Sequence, residues 1–302
     1  MIRAEEVSVH FRRGLGRGVL KALDRFDIEI REGDFFALLG QNGAGKSTAM
    51  YCLLGLLRPT SGRVTIFGRA PELGSPMYGS IAYLPEEPHY HDYLTVEEAV
   101  HYYSALYGRA VPQARLHGVL EHLRLAEFRR LPLRKCSKGM KQKVGIAQCM
   151  LSDAQLFFLD EPMRGLDPLA VRDVRDVLVE MNRKGATIVM NSHILSEVEM
   201  VANRAAIIDR GRVVAQDDLR NLMRVDAALY MVEVEEHPDL PPFFSRESST
   251  DGTARGTVAA DRLYEFLDFT RARGLKLTSF ALRRATLEES FFSILAQRPP
   301  DA

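Results

Sequence analysis

Residues Gly40-Gln-Asn-Gly-Ala-Gly45-Lys46-Ser47 constrain the fold of this chain more than any other stretch. Directly before them, Phe35–Leu39 is a continuous apolar run, the pattern of a short strand buried on both faces of a parallel sheet. Directly after them the pattern turns helical. The glycines let backbone amides curl around a ligand with no Cβ in the way. The helix that follows aims its positive dipole end at the same point, so the unit can wrap a phosphate. Leu156–Leu159 and Thr187–Met190 are two more buried strands, each followed by a polar turn and a helical pattern. Strands alternating with helices predict an α/β domain around a mostly parallel sheet.

The 302 residues suffice for one large domain, or a medium domain with an appendage. Forty basic residues balance forty acidic ones, so no global field attracts nucleic acid or an anionic membrane, and no local basic patch stands out. Cys52, Cys136 and Cys149 lack CxxC spacing and read as reduced, small apolar residues of a cytoplasmic protein. The first residues hold no apolar run of signal-peptide length, and no stretch of ~20 apolar residues could span a bilayer. Any work at a membrane would require docking on another protein's transmembrane segments.

Along the chain, Val7–Phe11 alternates as a strand, Gly14–Gly18 reads as a flexible hairpin tip, and Val19–Ile30 resumes strand character. Arg63–Phe67 and Ser80–Leu84 are further short strands. From Thr95 to about Met150 the pattern is helical, opened by the capping box Thr95-Val-Glu-Glu98; the same device is predicted at Ser196–Glu199 and Thr286–Glu289. Ala206–Asp209 and Val213–Gln216 read as a closing hairpin around Arg210-Gly211-Arg212. Past Arg220 the texture changes: strand-like Ala227–Val234 and Leu275–Leu282 flank helical Asp261–Arg273, while Phe244–Gly256 reads as polar and turn-rich. These features predict a main domain over residues 1–220, with a helical part at about 95–150, and a small α+β domain over 221–302.

Gly40 to Ser47 fits the P-loop pattern in its required context of strand and helix. In that pattern Gly40, Gln41, Asn42, Gly43, Ala44, Gly45 and Thr48 belong to the phosphate cradle. Lys46 places a charge on the β- and γ-phosphates and the Ser47 hydroxyl ligates magnesium. Leu156-Phe-Phe-Leu-Asp160-Glu161 supplies the second half. The strand delivers Asp160 to its end, where it can hold the magnesium through water. Glu161, one residue on, points elsewhere and suits the role of general base. The pair predicts binding of ATP with Mg2+ and its hydrolysis.

At this point the chain resembles the ATP-binding cassette (ABC) family. Cys136-Ser137-Lys138-Gly139-Met140 is similar to that family's signature motif, Gly165-Leu166-Asp167 to its D-loop, and His193 to its switch histidine. Phe11 stands where an aromatic stacks on adenine, and Tyr83-Leu84-Pro85-Glu86 occupies the Q-loop position. The resemblance implies a P-loop NTPase cassette of mostly parallel core sheet, antiparallel β subdomain and helical subdomain, with the small α+β domain at the C-terminal end. It implies head-to-tail pairing with a second copy, each ATP lying between one subunit's P-loop and the other's Ser137 and Gly139. Asp167 would reach across that interface, and His193 would contact the γ-phosphate and orient the attacking water. The apolar positions of the signature helix, Met140, Val144, Ala147 and Leu151, are expected to bury one face.

Two motifs depart from the family pattern. Lys138 and Met140 stand where glycine and glutamine are usual, and Glu86 replaces the usual Q-loop glutamine. A carboxylate there can still ligate magnesium, while adding negative charge near the γ-phosphate. His89, Tyr90, His91 and Tyr93 fit no metal-ligand spacing. They read either as a docking surface for a membrane subunit or as ordinary loop packing. Leu287 to Phe292 resembles the end of an accessory domain found in exporter-type ABC ATPase subunits; dimer contact, regulation and a purely structural role are all open to it.

The reading is thus an ATPase subunit that energises a separate transmembrane permease, leaning to export. It would sit peripherally on the cytoplasmic face of the cell membrane, touching it only through the permease and binding no nucleic acid. The alternative is a soluble regulatory or non-transport ABC ATPase. The single cassette and the lack of long coiled coils speak against members of that class that act on ribosomes or DNA.

Overall fold

The computed structural model describes residues 1–12, 18–108, 110–223, 229–283 and 286–296. Most of the expected hairpin tip at Gly14–Gly18 lies outside them. The chain divides into two compact units, Met1–Leu222 with the chain's end from Ile294, and Met223–Ser293.

The first unit opens with β1 (Ile2–Arg12), β2 (Val19–Ile30), β3 (Phe35–Leu39), α1 (Lys46–Leu53), β4 (Ser61–Ile66) and β5 (Ile81–Leu84). Three helices follow: α2 (Val96–Ala105), α3 (Gln113–His122) and α4 (Lys138–Leu151). It continues through β6 (Leu156–Asp160), α5 (Pro168–Arg183), β7 (Thr187–Asn191), α6 (Leu195–Val201), β8 (Arg204–Asp209), β9 (Arg212–Asp218) and α7 (Leu219–Leu222). Six strands form one sheet in the order β5-β6-β7-β3-β8-β9, parallel except for the β8–β9 hairpin. A separate antiparallel sheet runs β2-β1-β4. The expected α/β cassette is therefore present, with its parallel core, antiparallel β part and helical part.

The core explains why β3, β6 and β7 carry unbroken apolar runs: every residue of each is buried. One face of the large sheet (Phe36, Leu38, Leu156, Phe158, Val189, Ala206, Ile208) joins Ala49, Met50 and Leu53 of α1 and the inner face of the three-stranded sheet in a single cluster. Phe158 is fully buried there. Phe158→Ala is expected to cost about 3–5 kcal/mol and to lower the unfolding midpoint of this unit by roughly 10 °C, read by calorimetry. A midpoint within a degree of the parent would mean that β6 is not part of the central core.

The second unit is a four-stranded antiparallel sheet, ordered β11-β12-β10-β13, made of β10 (Leu229–Glu235), β11 (Ser245–Thr250), β12 (Thr253–Ala259) and β13 (Leu277–Arg283). Helix α8 (Leu263–Ala272) places Phe266 on Val232, Val234, Ala254, Val258 and Phe244. A last helix, α9, spans Leu287–Ala296.

Three local expectations are corrected. Residues 245–259 are a strand pair and not a turn-rich stretch. All six residues of β11 are exposed, so this edge strand shows no alternation for a sequence reading to detect. Ser196 does not cap α6, because the helix begins at Leu195 and leaves Ser196 inside its first turn; the capping boxes at Thr95 and Thr286 are present. Helix α4 buries Gln142, Lys143, Gly145, Ile146 and Cys149 as well as Val144, Ala147 and Leu151, so it is enclosed on more than one face. Packing there is tight: a Cβ on Gly145 would fall 2.3 Å from Leu84 Cδ1. Among the described residues no helix is long and apolar enough to cross a membrane.

Candidate active site

Because β3, β6 and β7 are parallel neighbours, their C-terminal ends meet at one edge of the sheet, where α/β proteins place their ligands. An open cleft of about 560 Å³ lies there. Phe11, Asn42, Gly43, Gly45, Lys46, Ser47, Thr48, Glu86, Asp160, Glu161 and His193, all foreseen from sequence, line it together.

The loop between β3 and α1 is a tight backbone cradle. Gly45 caps α1 at φ 108°, and a Cβ there would come 2.6 Å from the carbonyl oxygen of Ala22. Gly40 packs so closely on β8 that a Cβ would lie 2.5 Å from Ile208 O. Only glycine fits either place. With glycine at the cap, no side chain takes the first-turn amides of α1, which stay free for an anion. Lys46 is buried and its Nζ donates to Gly40 O at 2.7 Å and Gln41 O at 3.1 Å, bracing the loop. Burial holds its ammonium below the usual lysine range, while Glu161 and Asp160 pull the other way.

Asp160 ends β6 and is buried; burial raises its carboxyl above the usual range, opposed by a 2.7 Å hydrogen bond from Asn191 Nδ2. Asn191 stands directly across from Asp160 in the β6–β7 register, and its Oδ1 is buried with no hydrogen-bond partner among the described residues. A buried carboxylate, an orphaned amide oxygen and the Ser47 hydroxyl make an all-oxygen donor set that fits a hard divalent cation.

Glu161 adopts φ 51°, a left-handed conformation a non-glycine residue holds at a cost of about 1–2 kcal/mol. Its amide donates to Asn191 O at 2.9 Å, which fixes the turn. The turn sends Glu161 away from the strand direction and onto His193, whose Nδ1–H donates to Glu161 Oε1 at 2.7 Å. In the neutral ring Nε2 is then the bare acceptor.

Gly40, Gln41 and Ala44 belong to the same loop without lining the cleft, and the other expected residues stand elsewhere. Ser137 caps α4, its Oγ accepting from Met140 N–H at 3.2 Å, and Asp167 caps α5, its Oδ1 accepting from Ala170 N–H at 2.9 Å. Ser137, Gly139 and Asp167 do not line the cleft. A Cβ on Gly139 would meet Leu166 of the turn before Asp167 at 3.2 Å, so the signature turn and the D-loop are neighbours in this chain. Lys138 faces Glu87 at 3.8 Å with both groups well exposed. In the His89–Tyr93 loop, Tyr90 packs edge-on to Tyr103 while His91 and Tyr93 are exposed and stacked.

Sequence reading missed Leu20, Lys21, Ala22, Arg164 and Asn191 as lining residues. Leu20 is the cross-strand partner of Phe11, and Asn191 ends a buried strand just as Asp160 does; those positions were the available signals. Nothing in the spacing marks Arg164.

A glycine cradle on a helix start, facing strand-end carboxylates on a parallel sheet, defines a P-loop nucleoside-triphosphatase. The profile of the family described as "ABC transporter" matches residues 23–164. An ABC transporter ATP-binding protein of Synechocystis is 33% identical over 99% of this chain and 85% of its own length. The fluoroquinolones export ATP-binding protein of Mycobacterium tuberculosis is 32% identical over 77% of each chain. The bacitracin transport ATP-binding protein of Bacillus licheniformis is 29% identical over 92% of this chain and 94% of its own. Among solved structures, an ATP-binding subunit of an ABC transporter is similar at 31% identity and TM-score 0.64, covering 74% of this chain and 92% of that one. An ATP-binding cassette solved as a dimer with ADP and Pi shares the fold at 22% identity and TM-score 0.66, covering 72% of this chain and 98% of that one. The chain belongs to the ABC transporter family as an ATP-binding subunit, and the activity of that class is ATP hydrolysis coupled to transport.

Proposed function

We propose that the cleft holds ATP with magnesium as follows. Phe11 stacks on the adenine. The amides of Gly40 to Thr48 surround the β- and γ-phosphates with Lys46 among them. Ser47, Asp160 and Glu86 hold the cation, which would offset charge on the phosphates. Glu161 takes a proton from the water that attacks the γ-phosphorus, the bond to the β–γ bridging oxygen breaks, and His193 keeps Glu161 and the water in line. The observation that carries this reading is the Glu161–His193 hydrogen bond of 2.7 Å, held at a strained turn in the same cleft as Lys46.

Ser137, Gly139 and Asp167 lie outside that cleft, and this supports a head-to-tail pair in which they complete the site of a second copy. Helix α4 is long enough, at fourteen residues, for its positive end to favour a γ-phosphate there. The subunit would drive a separate transmembrane permease from the cytoplasmic face of the membrane, with the exposed His91 and Tyr93 as a docking surface. Export is favoured by the relatives named for fluoroquinolone export and bacitracin transport. Residues 1–220 form the cassette proper in this reading, and residues 221–302 an accessory domain. The expected result is that the tagged chain, drawn from gently solubilised membranes, brings a polytopic membrane protein in about equal amount. Recovery with ribosomes, or alone, would favour a non-transport ABC ATPase.

A further inference from the structure

The cleft holds three carboxylates, Glu86, Asp160 and Glu161, in a place meant for a polyanion. Asp160 and Glu161 lie beside buried Lys46, whose charge acts on both. Glu86 is the extra one, standing where the family's usual residue is a neutral amide. An uncompensated carboxylate within several ångströms of a triphosphate would weaken binding by about tenfold or more at the effective dielectric of a protein surface.

Glu86 is not uncompensated. The guanidinium of Arg164 contacts its Oε1, and both side chains line the cleft. Arg164 reaches Glu86 from a different segment, the turn after Glu161, where its amide donates to Glu161 O at 3.1 Å. The pair thus ties the loop after β5 to the turn that carries the strained Glu161. Half-exposed ion pairs add little to stability, so folding does not account for this one.

We propose that Arg164 is the counter-charge that allows a carboxylate at position 86, so that Glu86 and Arg164 together act toward MgATP as one neutral unit. Arg164 is a positioning residue in this scheme, acting through Glu86. The inference rests on the reading of the cleft as the MgATP site. It gives Glu86 a partner that the chain itself supplies: Arg164 at Oε1 cancels the charge locally, and Oε2 is left for the cation.

The test is equilibrium binding of a fluorescent ATP analogue with Mg2+ to the full chain and four variants. Arg164→Gln is expected to weaken binding about tenfold, and more at low salt, where screening is least. Arg164→Lys should stay within about threefold of the parent, because it keeps the charge. Glu86→Gln alone keeps an amide oxygen for the cation but leaves Arg164 unpaired in the cleft, so it should bind tighter than the parent. The double variant Glu86→Gln/Arg164→Gln should return to within about threefold of the parent, because both charges are gone. That reciprocal rescue is a result no purely structural role produces. Unchanged binding by Arg164→Gln, or a double variant as weak as Arg164→Gln, overturns the inference and leaves the nucleotide site standing. No binding by the parent chain overturns the nucleotide reading and the inference with it.

Discussion

Lys46→Ala is expected to remove saturable ATP binding over the range that fills the parent protein, a loss of at least about 10²-fold in affinity. Lys46 is only 8% exposed and its ammonium is held under the glycine loop by two carbonyl acceptors, so it cannot be replaced by a mobile surface cation. Hydrogen bonds to charged groups contribute about 1.5–3 kcal/mol each, and a lysine between two phosphates makes more than one. Its removal also leaves Asp160 and Glu161 facing the triphosphate without the cation that now acts on both. The two effects have the same sign. Lys21 lines the same cleft from an exposed position, so Lys21→Ala should change affinity far less. The measurement is binding of a fluorescent ATP analogue, alongside a circular dichroism spectrum to show that the sheet persists. Parent-like binding by Lys46→Ala would mean that the glycine loop does not hold the phosphates.

Much of this site is legible in the sequence because its chemistry is local along the chain. A cradle needs glycines at fixed offsets, a strand before it and a helix after it, and all of that is written between Phe35 and Leu53. The burial of both faces of a parallel sheet likewise leaves a mark, the unbroken runs of β3, β6 and β7. What could not be read is what the fold brings together from distant segments. Arg164 meets Glu86 across seventy-eight positions of chain, and no periodicity encodes that. Asn191 gains meaning only from its register with Asp160. Ser245–Thr250 failed for the opposite reason: an exposed edge strand of polar residues is specified by its partner β12, with which it pairs, and not by its own composition. In helix α4 the apolar positions mark one buried face, but the polar Gln142 and Lys143 are buried as well. Lys143 is buried through an ion pair to Asp173 at 2.9 Å, which lets a charged side chain enter the interior.

Glu161→Gln is expected to lower kcat by about 10²–10⁴-fold while leaving ATP affinity within about threefold of the parent. The amide has the shape of the carboxylate, and its oxygen can still accept from His193 Nδ1, now 2.7 Å from Glu161 Oε1. The turn at φ 51° is a backbone feature that either side chain occupies. Only the ability to take up a proton is lost. The contrast with Lys46→Ala is the informative part, because one variant should bind and not turn over while the other should not bind. If a closed head-to-tail pair forms around ATP and opens on hydrolysis, the stalled variant should also collect as a dimer on gel filtration with ATP and Mg2+, and run as a monomer with ADP. A fall in kcat without dimer would keep Glu161 as the base and remove the paired-site reading. Hydrolysis at the parent rate would remove Glu161 from the base role, and the strained turn that holds it against His193 would then need another explanation. A rise in KM with kcat unchanged would point to lost substrate binding, the outcome this geometry does not predict.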